Sequence, residues 1–211
     1  MIARWNRQAL ELMETLACRV RLMTVQHVHR LWGNDFGAVG TISQTLDTLI
    51  RADLLVGDVR ALPPIPVGEA PLFRWKPGHD EPDFELLRER IQARWNHEHV
   101  ATPIVAATDQ ACRLFGSSGG GMPSKMHINH DLILSEVYIR YRIDEPTLAA
   151  IWYGEHAMPI AETGIKNPDA FLVNKTGEVI RVIESTGSYS VKQLVSFHDH
   201  CVAESLPYEL W

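Results

Sequence analysis

Cysteine is scarce in this chain: Cys18, Cys112 and Cys201 are the only three in 211 residues, and no two form a CxxC pair. An odd, scattered set excludes a disulfide framework and a thiolate zinc site, and it fits a reducing cytoplasm. Long apolar runs are missing too. None approaches the roughly 20 residues of a bilayer-spanning helix, so no membrane partner is expected. The opening stretch "MIARWNRQALELMETLACRV" is amphipathic with interspersed acids, which is not the pattern of a secretory signal. Positive net charge is also lacking, at −6 for the whole chain. That counts against a general polyanion binder, although local patches still act within a Debye length of about 8–10 Å. What remains, 45% hydrophobic and 22% charged residues, suits a soluble globular protein of one or two domains.

Residues 1–77 read as three helices and a β-ribbon. Leu10, Met13, Leu16, Ala17 and Val20 recur at helical spacing. Thr24 can cap a second helix, "VQHVHRLWG", which Gly33 would end. In the third, "TISQTLDTLIRADLL", Ile42, Leu46, Leu49 and Ile50 form an apolar stripe and Thr41, Gln44 and Thr48 fall outside it. "LLVGDVR" and "PLFRWKPG" read as two strands around the tip "ALPPIPVGEA". This order is that of a winged helix-turn-helix. Residues 1–77 hold nine Lys/Arg against seven Asp/Glu in an otherwise acidic chain. Arg60, Arg74 and Lys76 lie at or beside the ribbon strands, where DNA phosphates would pass. Thr41, Gln44 and Thr48 offer hydrogen bonds to base edges, as recognition helices do in the major groove. A helical domain that packs on a partner protein fits the same periodicity.

Residues 78–100 read as a loop with a polar helix joining two domains, with Leu86, Leu87, Ile91 and Trp95 as its narrow apolar side and His97 and His99 in solvent. Residues 101–211 then alternate between helix and strand. "VATPIVAATDQACRLFG" is a strand and short helix, "SSGGGMPSK" a linker, and "INHDLILSEVYIRYR" a helix carrying Glu136. A hairpin over 169–184, a helix within "SVKQLVSFHDHCVAES" and a last strand "LPYELW" follow. The pattern implies an α/β or α+β domain with one mixed sheet. The His127/His130 and His198/His200 pairs have spacings zinc can use. No Glu stands between the first pair, however, so this is not a metalloprotease helix.

The hairpin "NPDAFLVNKTGEVIRVIESTGSY" carries the chemistry. If Val173 pairs with Glu178 across "NKTG", then Phe171 faces Ile180, Asp169 faces Val182, and Glu184 shares their sheet face. Two carboxylates placed diagonally, about 7–8 Å apart at the backbone, can reach one ion at the roughly 2.0–2.1 Å that Mg²⁺ requires. The alternative is a pair of solvated strand ends.

"PDAFLV" followed by "VIRVIEST" resembles the Pro-Asp, spacer, Glu-x-Lys arrangement of the PD-(D/E)XK nuclease superfamily. The order of winged helix, "INHDL…E" helix and "PDA…IEST" is similar to the replication-relaxation family found with mobile elements, over nearly the whole chain. The resemblance implies Asp169 and Glu184 as ligands of Mg²⁺ or Mn²⁺, Glu136 as a third carboxylate, DNA as partner, and metal-assisted phosphodiester hydrolysis. The chain departs from the pattern at Thr186, where the superfamily has lysine. Lys192, in the next helix, is the candidate replacement, and its plain alternative is a solvated helix residue. A competing reading is a non-enzymatic regulator whose C-terminal domain forms a homodimer or binds a partner protein.

Overall fold

The computed structural model describes residues 5–33, 39–94, 98–158 and 167–211. Helix α1 (Arg7–Glu14) starts at Asn6, whose side-chain oxygen accepts the Ala9 N–H at 2.8 Å. That bond satisfies a donor which a helix start leaves without an intrahelical partner. α1 runs directly into a π-helical turn, Thr15–Arg19. The wider turn re-phases the apolar stripe: Ala9, Leu12 and Met13 are buried before it and Leu16 and Ala17 within it, while Leu10, expected inside, is exposed. Strand β1 (Met23–Thr24) leads into α2 (Val25–Trp32), where the Thr24 hydroxyl accepts the His27 N–H at 2.9 Å and Gly33 closes the helix, as expected. In α3 (Val39–Arg51), Ile42, Leu46 and Leu49 are buried and Gln44 and Thr48 exposed. Ile50, at the edge of the stripe, is exposed as well.

The strand pairing corrects the expected ribbon. β2 (Leu55–Leu62) and β3 (Phe73–Trp75) both form, but in different sheets. β2 pairs antiparallel along its whole length with β4 (Val100–Ala107), which holds β1 on its other side. β3 pairs antiparallel with β8 (Tyr208–Leu210). A long strand leaves a long row of unpaired N–H and C=O groups. The three residues of β3 cannot satisfy it, whereas β4 offers an equal length with Ile104–Ala107 buried.

Helix α4 (Phe84–Ala93), expected as a joint, packs on α8 (Val191–Ala203) and buries Leu87 and Ile91, while Leu86 stays exposed. Trp95 and His97 lie outside the described residues, and His99 is exposed. After α5 (Asp109–Leu114) come α6 (Ile128–Asp144), α7 (Pro146–Ala149) and β5 (Trp152–Gly154). β6 (Ala170–Val173) and β7 (Val179–Glu184) follow, ahead of α8 and β8. The second sheet has the order β3-β8-β7-β6-β5. β5, β6 and β7 run antiparallel, and β8 lies parallel to β7 after the α8 crossover, the connection a parallel pair requires.

The molecule is therefore a mixed α+β fold with two sheets. α6 is buried on nearly every side, as a helix apolar around its circumference must be. One core joins Leu12, Leu16, Trp32 and Leu46 of the first helices to Ile133, Tyr138, Trp152 and Leu172. The expected division at residues 77 and 100 does not follow the pairing, since the N-terminal sheet takes β4 and the C-terminal sheet takes β3. Backbone and side-chain bonds cross the same line. Trp152 Nε1 donates to the Arg19 carbonyl at 3.0 Å, Ser135 donates to the Leu22 carbonyl, and Arg142 pairs with Glu11.

Candidate active site

The hairpin turn is built by its own side chains. Asn174 Oδ1 accepts the Thr176 N–H at 3.0 Å and the Glu178 N–H at 2.9 Å, and Gly177 takes φ +85°, a left-handed value that favours glycine. A bulge between Leu172 and Val173 shifts the register from the expected one. Val173 pairs with Val179, Phe171 with Val182 and Ala170 with Ile183. Continued one step, this register sets Asp169 opposite Glu184 rather than diagonal to it. The extra residue of a bulge re-aims side chains in this way.

Asp169 and Glu184 are both buried. The Asp169 N–H donates to Glu184 Oε2 at 3.1 Å, and the Ser185 N–H donates to Asp169 Oδ2 at 2.7 Å. The Tyr189 hydroxyl reaches Glu184 Oε1. His130, from the first turns of α6, places Nε2 at 2.9 Å from Asp169 Oδ2 and Nδ1 at 3.4 Å from Asp131 Oδ1. Burial alone would push the pKa of this imidazole down. Its hydrogen bonds to the two carboxylates and their charges prevail and raise it to about 10, so the ring is a cation at neutral pH.

Asp169, His130, Asp131 and Tyr189 open onto a cleft of about 700 Å³ that Arg21, Glu155, His156, Ser188 and Gln193 also line, while Glu184 lies behind them and is not part of its lining. His156 is held by the 3-10 turn Glu155–Ala157, where a Cβ on Gly154 would meet the Arg19 carbonyl oxygen at 2.6 Å. Only glycine permits that approach. Burial and then the Arg21 charge lower the His156 pKa to about 4, so this ring is neutral. Arg21, Asp131 and His156 escaped the sequence reading. Nothing but their side-chain chemistry marks them, and they meet through tertiary packing alone.

Glu136, expected as the third carboxylate, faces away from this cleft. It meets Arg30 at 2.5 Å and both His27 Nε2 and Arg140 Nε at 3.4 Å, in a separate cleft of about 450 Å³. Five residues along a helix of 3.6 per turn carry it from the Asp131 face to the far side. Burial would raise its pKa, but the His27 and Arg30 hydrogen bonds hold it low. Lys192 is exposed on the first turn of α8, and Gln193 lines the cleft in its stead. Thr186 is buried and donates to the Trp211 carbonyl at 2.9 Å. Arg94 Nη2 donates to both Thr186 Oγ1 and that carbonyl at 3.0 Å, and burial lowers its pKa to about 10. Among the described residues, no three His, Cys, Asp or Glu side chains are grouped to hold a metal ion.

The expected DNA-facing residues are dispersed. Gln44 and Thr48 lie on the exposed face of α3, but the Thr48 hydroxyl donates to the Gln44 carbonyl at 2.7 Å. The Thr41 side chain lies outside the described residues. Arg60, on β2, pairs with Asp58 at 2.5 Å. Arg74, on β3, and Arg181 each pair with the buried Glu209 at 2.9 Å, and Lys76 is exposed just beyond β3. Arg74 and Lys76 thus accompany the C-terminal sheet, not a ribbon shared with Arg60. Of the histidine pairs, His198 is a core residue, with Nδ1 at 2.8 Å from the Tyr208 hydroxyl. No family model, curated protein or solved structure matches this chain.

Proposed function

We propose that this chain is a DNA-binding protein whose second sheet carries a nuclease-type site for metal-dependent phosphodiester hydrolysis. The observation that carries the reading is the buried carboxylate pair, Asp169 and Glu184, facing each other at the ends of two antiparallel strands. The element order α6, β5-β6-β7, α8 and parallel β8 supports it. In that order the acids fall at the start of the second strand and the end of the third, as the PD-(D/E)XK resemblance implies. The α3 helix followed by the antiparallel β2–β4 pair supports the DNA-binding half in the same sense.

The donor set suits Mg²⁺ or Mn²⁺ in kind, since the His130 cation offsets only one of the two buried carboxylates and hard oxygen ligands suit those ions. Asp169 and Glu184 would hold the ion, which when bound polarises a phosphoryl oxygen and lowers the pKa of an attacking water. His130 and Tyr189 orient the two carboxylates, and the Ser185 and Asp169 N–H groups fix one oxygen of each. A second reading, a regulator that keeps the fold without cutting DNA, draws on Thr186. A hydroxyl tied to the Trp211 carbonyl cannot supply the charge of the superfamily's lysine.

Calorimetry and melting with Mn²⁺ test the pair. Metal at about a hundred times its dissociation constant should add about 2.7 kcal/mol of stability to the wild type. Glu184→Gln should lose most of that increment while keeping its metal-free melting temperature. A wild type indifferent to both Mn²⁺ and Mg²⁺ sinks the site. Assays on single-stranded, duplex and branched DNA then separate the two readings, because the regulator binds metal and DNA without cleaving.

A further inference from the structure

Three side chains in the large cleft leave hydrogen-bonding atoms buried and unused among the described residues: Arg21 Nε, Asp131 Oδ2 and His156 Nε2. Asp131 is only 6% exposed. Buried polar atoms without partners are few in folded proteins, and several lining one cavity point to a ligand or ordered water. Arg21 is the one guanidinium or ammonium among the described lining residues. No carboxylate among the described residues lies within ion-pair distance of it. It comes from the bend before β1, so the N-terminal half supplies this charge to a cleft whose acids come from the C-terminal half. A cation on Lys192 or Arg94 does not face this cleft: the first is in solvent and the second is turned onto Thr186 and the Trp211 carbonyl.

An unpaired guanidinium with a free Nε presents a planar fork that matches the oxygens of a phosphate. The neighbouring ring is neutral, so it does not compete for that anion. Its open Nε2 and Asp131 Oδ2 accept hydrogen bonds from the water or hydroxyl that accompanies a phosphate. Gly119 lies beside the guanidinium, since a Cβ built on it would come within 4.0 Å of Arg21 Nη2.

We infer that Arg21 is the phosphate-binding residue of this cleft, holding a phosphodiester of a nucleic-acid strand opposite Asp169, with His156 and Asp131 ordering water around it. This rests on the nuclease reading and names the group that fills the vacancy at Thr186. The test is isothermal titration of the full chain with thymidine 3′,5′-diphosphate and with inorganic phosphate, both without divalent ions. The wild type should bind the nucleotide more tightly than phosphate. Arg21→Gln should lose at least about tenfold, and Arg21→Lys, which keeps the charge but not the planar fork, should fall between that variant and the wild type. Unchanged binding in Arg21→Gln overturns the assignment, as does an equal loss in both variants or a wild type that binds neither probe. Equal affinity for the two probes overturns the nucleic-acid part. Because the titration is metal-free, a failed Mn²⁺ experiment leaves its outcome intact, and the two ideas fail separately.

Discussion

Helix α6 divides two clefts that use the same kinds of residue in opposite ways. On the Glu136 side, one carboxylate is shared by Arg30, His27 and Arg140 within 3.4 Å, so its negative charge is answered where it stands. On the Asp131 side, Asp169 and Asp131 share one imidazole, while Asp131 Oδ2, Arg21 Nε and His156 Nε2 have no partner among the described residues. That ion cluster ties α2 to α6, and within it only Arg140 Nε is left without a hydrogen-bond partner among the described residues. Buried hydrogen-bonding capacity held in reserve lowers stability and is retained at sites that receive something.

Removing one carboxylate from each side should give the largest contrast. Glu136→Ala leaves Arg30 and Arg140 without their counter-ion and should destabilise by about 2–3 kcal/mol. That is below the loss for a fully buried pair, because the Arg30 side chain is 38% exposed. Asp131→Asn gives up the weaker of the two counter-charges to His130 and leaves Asp169 as the other, so it should stay within about 1 kcal/mol of wild type. Urea unfolding of both variants decides it, and equal losses would erase the distinction between the clefts.

A second difference separates the clefts by pH. The His156 pKa falls from 6.5 to about 4 in the folded state, so the unfolded chain binds the extra proton between those values. Stability is then fully present above about pH 6.5 and is lost as pH drops toward 4. His156→Gln should flatten the melting-temperature profile over that window. A profile as steep as the wild type's would show that another group carries the slope.

The smallest expected change concerns DNA. Arg60 lies on the long β2 strand and Arg74 serves Glu209, so only Arg60→Ala should act through phosphate. It should reduce the slope of log affinity against log salt by about 0.9, less if the Asp58 pair persists in the complex. Arg74→Ala should leave that slope unchanged and lower the melting temperature instead. An equal change in slope for both would restore the shared ribbon.

Much of the local structure was legible because it depends on near neighbours. The Thr24 cap, the buried Ile42–Leu46–Leu49 stripe and the "NKTG" turn follow from side chains within four residues of each other. So does the placing of Asp169 and Glu184 on one hairpin. The register was not legible, since a bulge at Leu172/Val173 leaves no local mark and moves the acids from diagonal to opposite. Glu136 was misjudged because a helix buried on nearly every side has no single inward face from which to read direction.

By itself the sequence determined the main helices, the hairpin and its two acids, and the absence of a lysine at position 186, but not β1, β5 or the π turn. Period, capping and turn chemistry act over a few residues and need no knowledge of what packs around them. Only the tertiary structure decided that β2 pairs with β4 and β3 with β8. It also decided that Glu136 is clasped by Arg30 and that Arg21, His156 and Asp131 meet Asp169 across one cleft. Strand partners are chosen by matching exposed backbone over long separations, and a cleft is the space left when the core has closed. Neither is a property of any short stretch of chain.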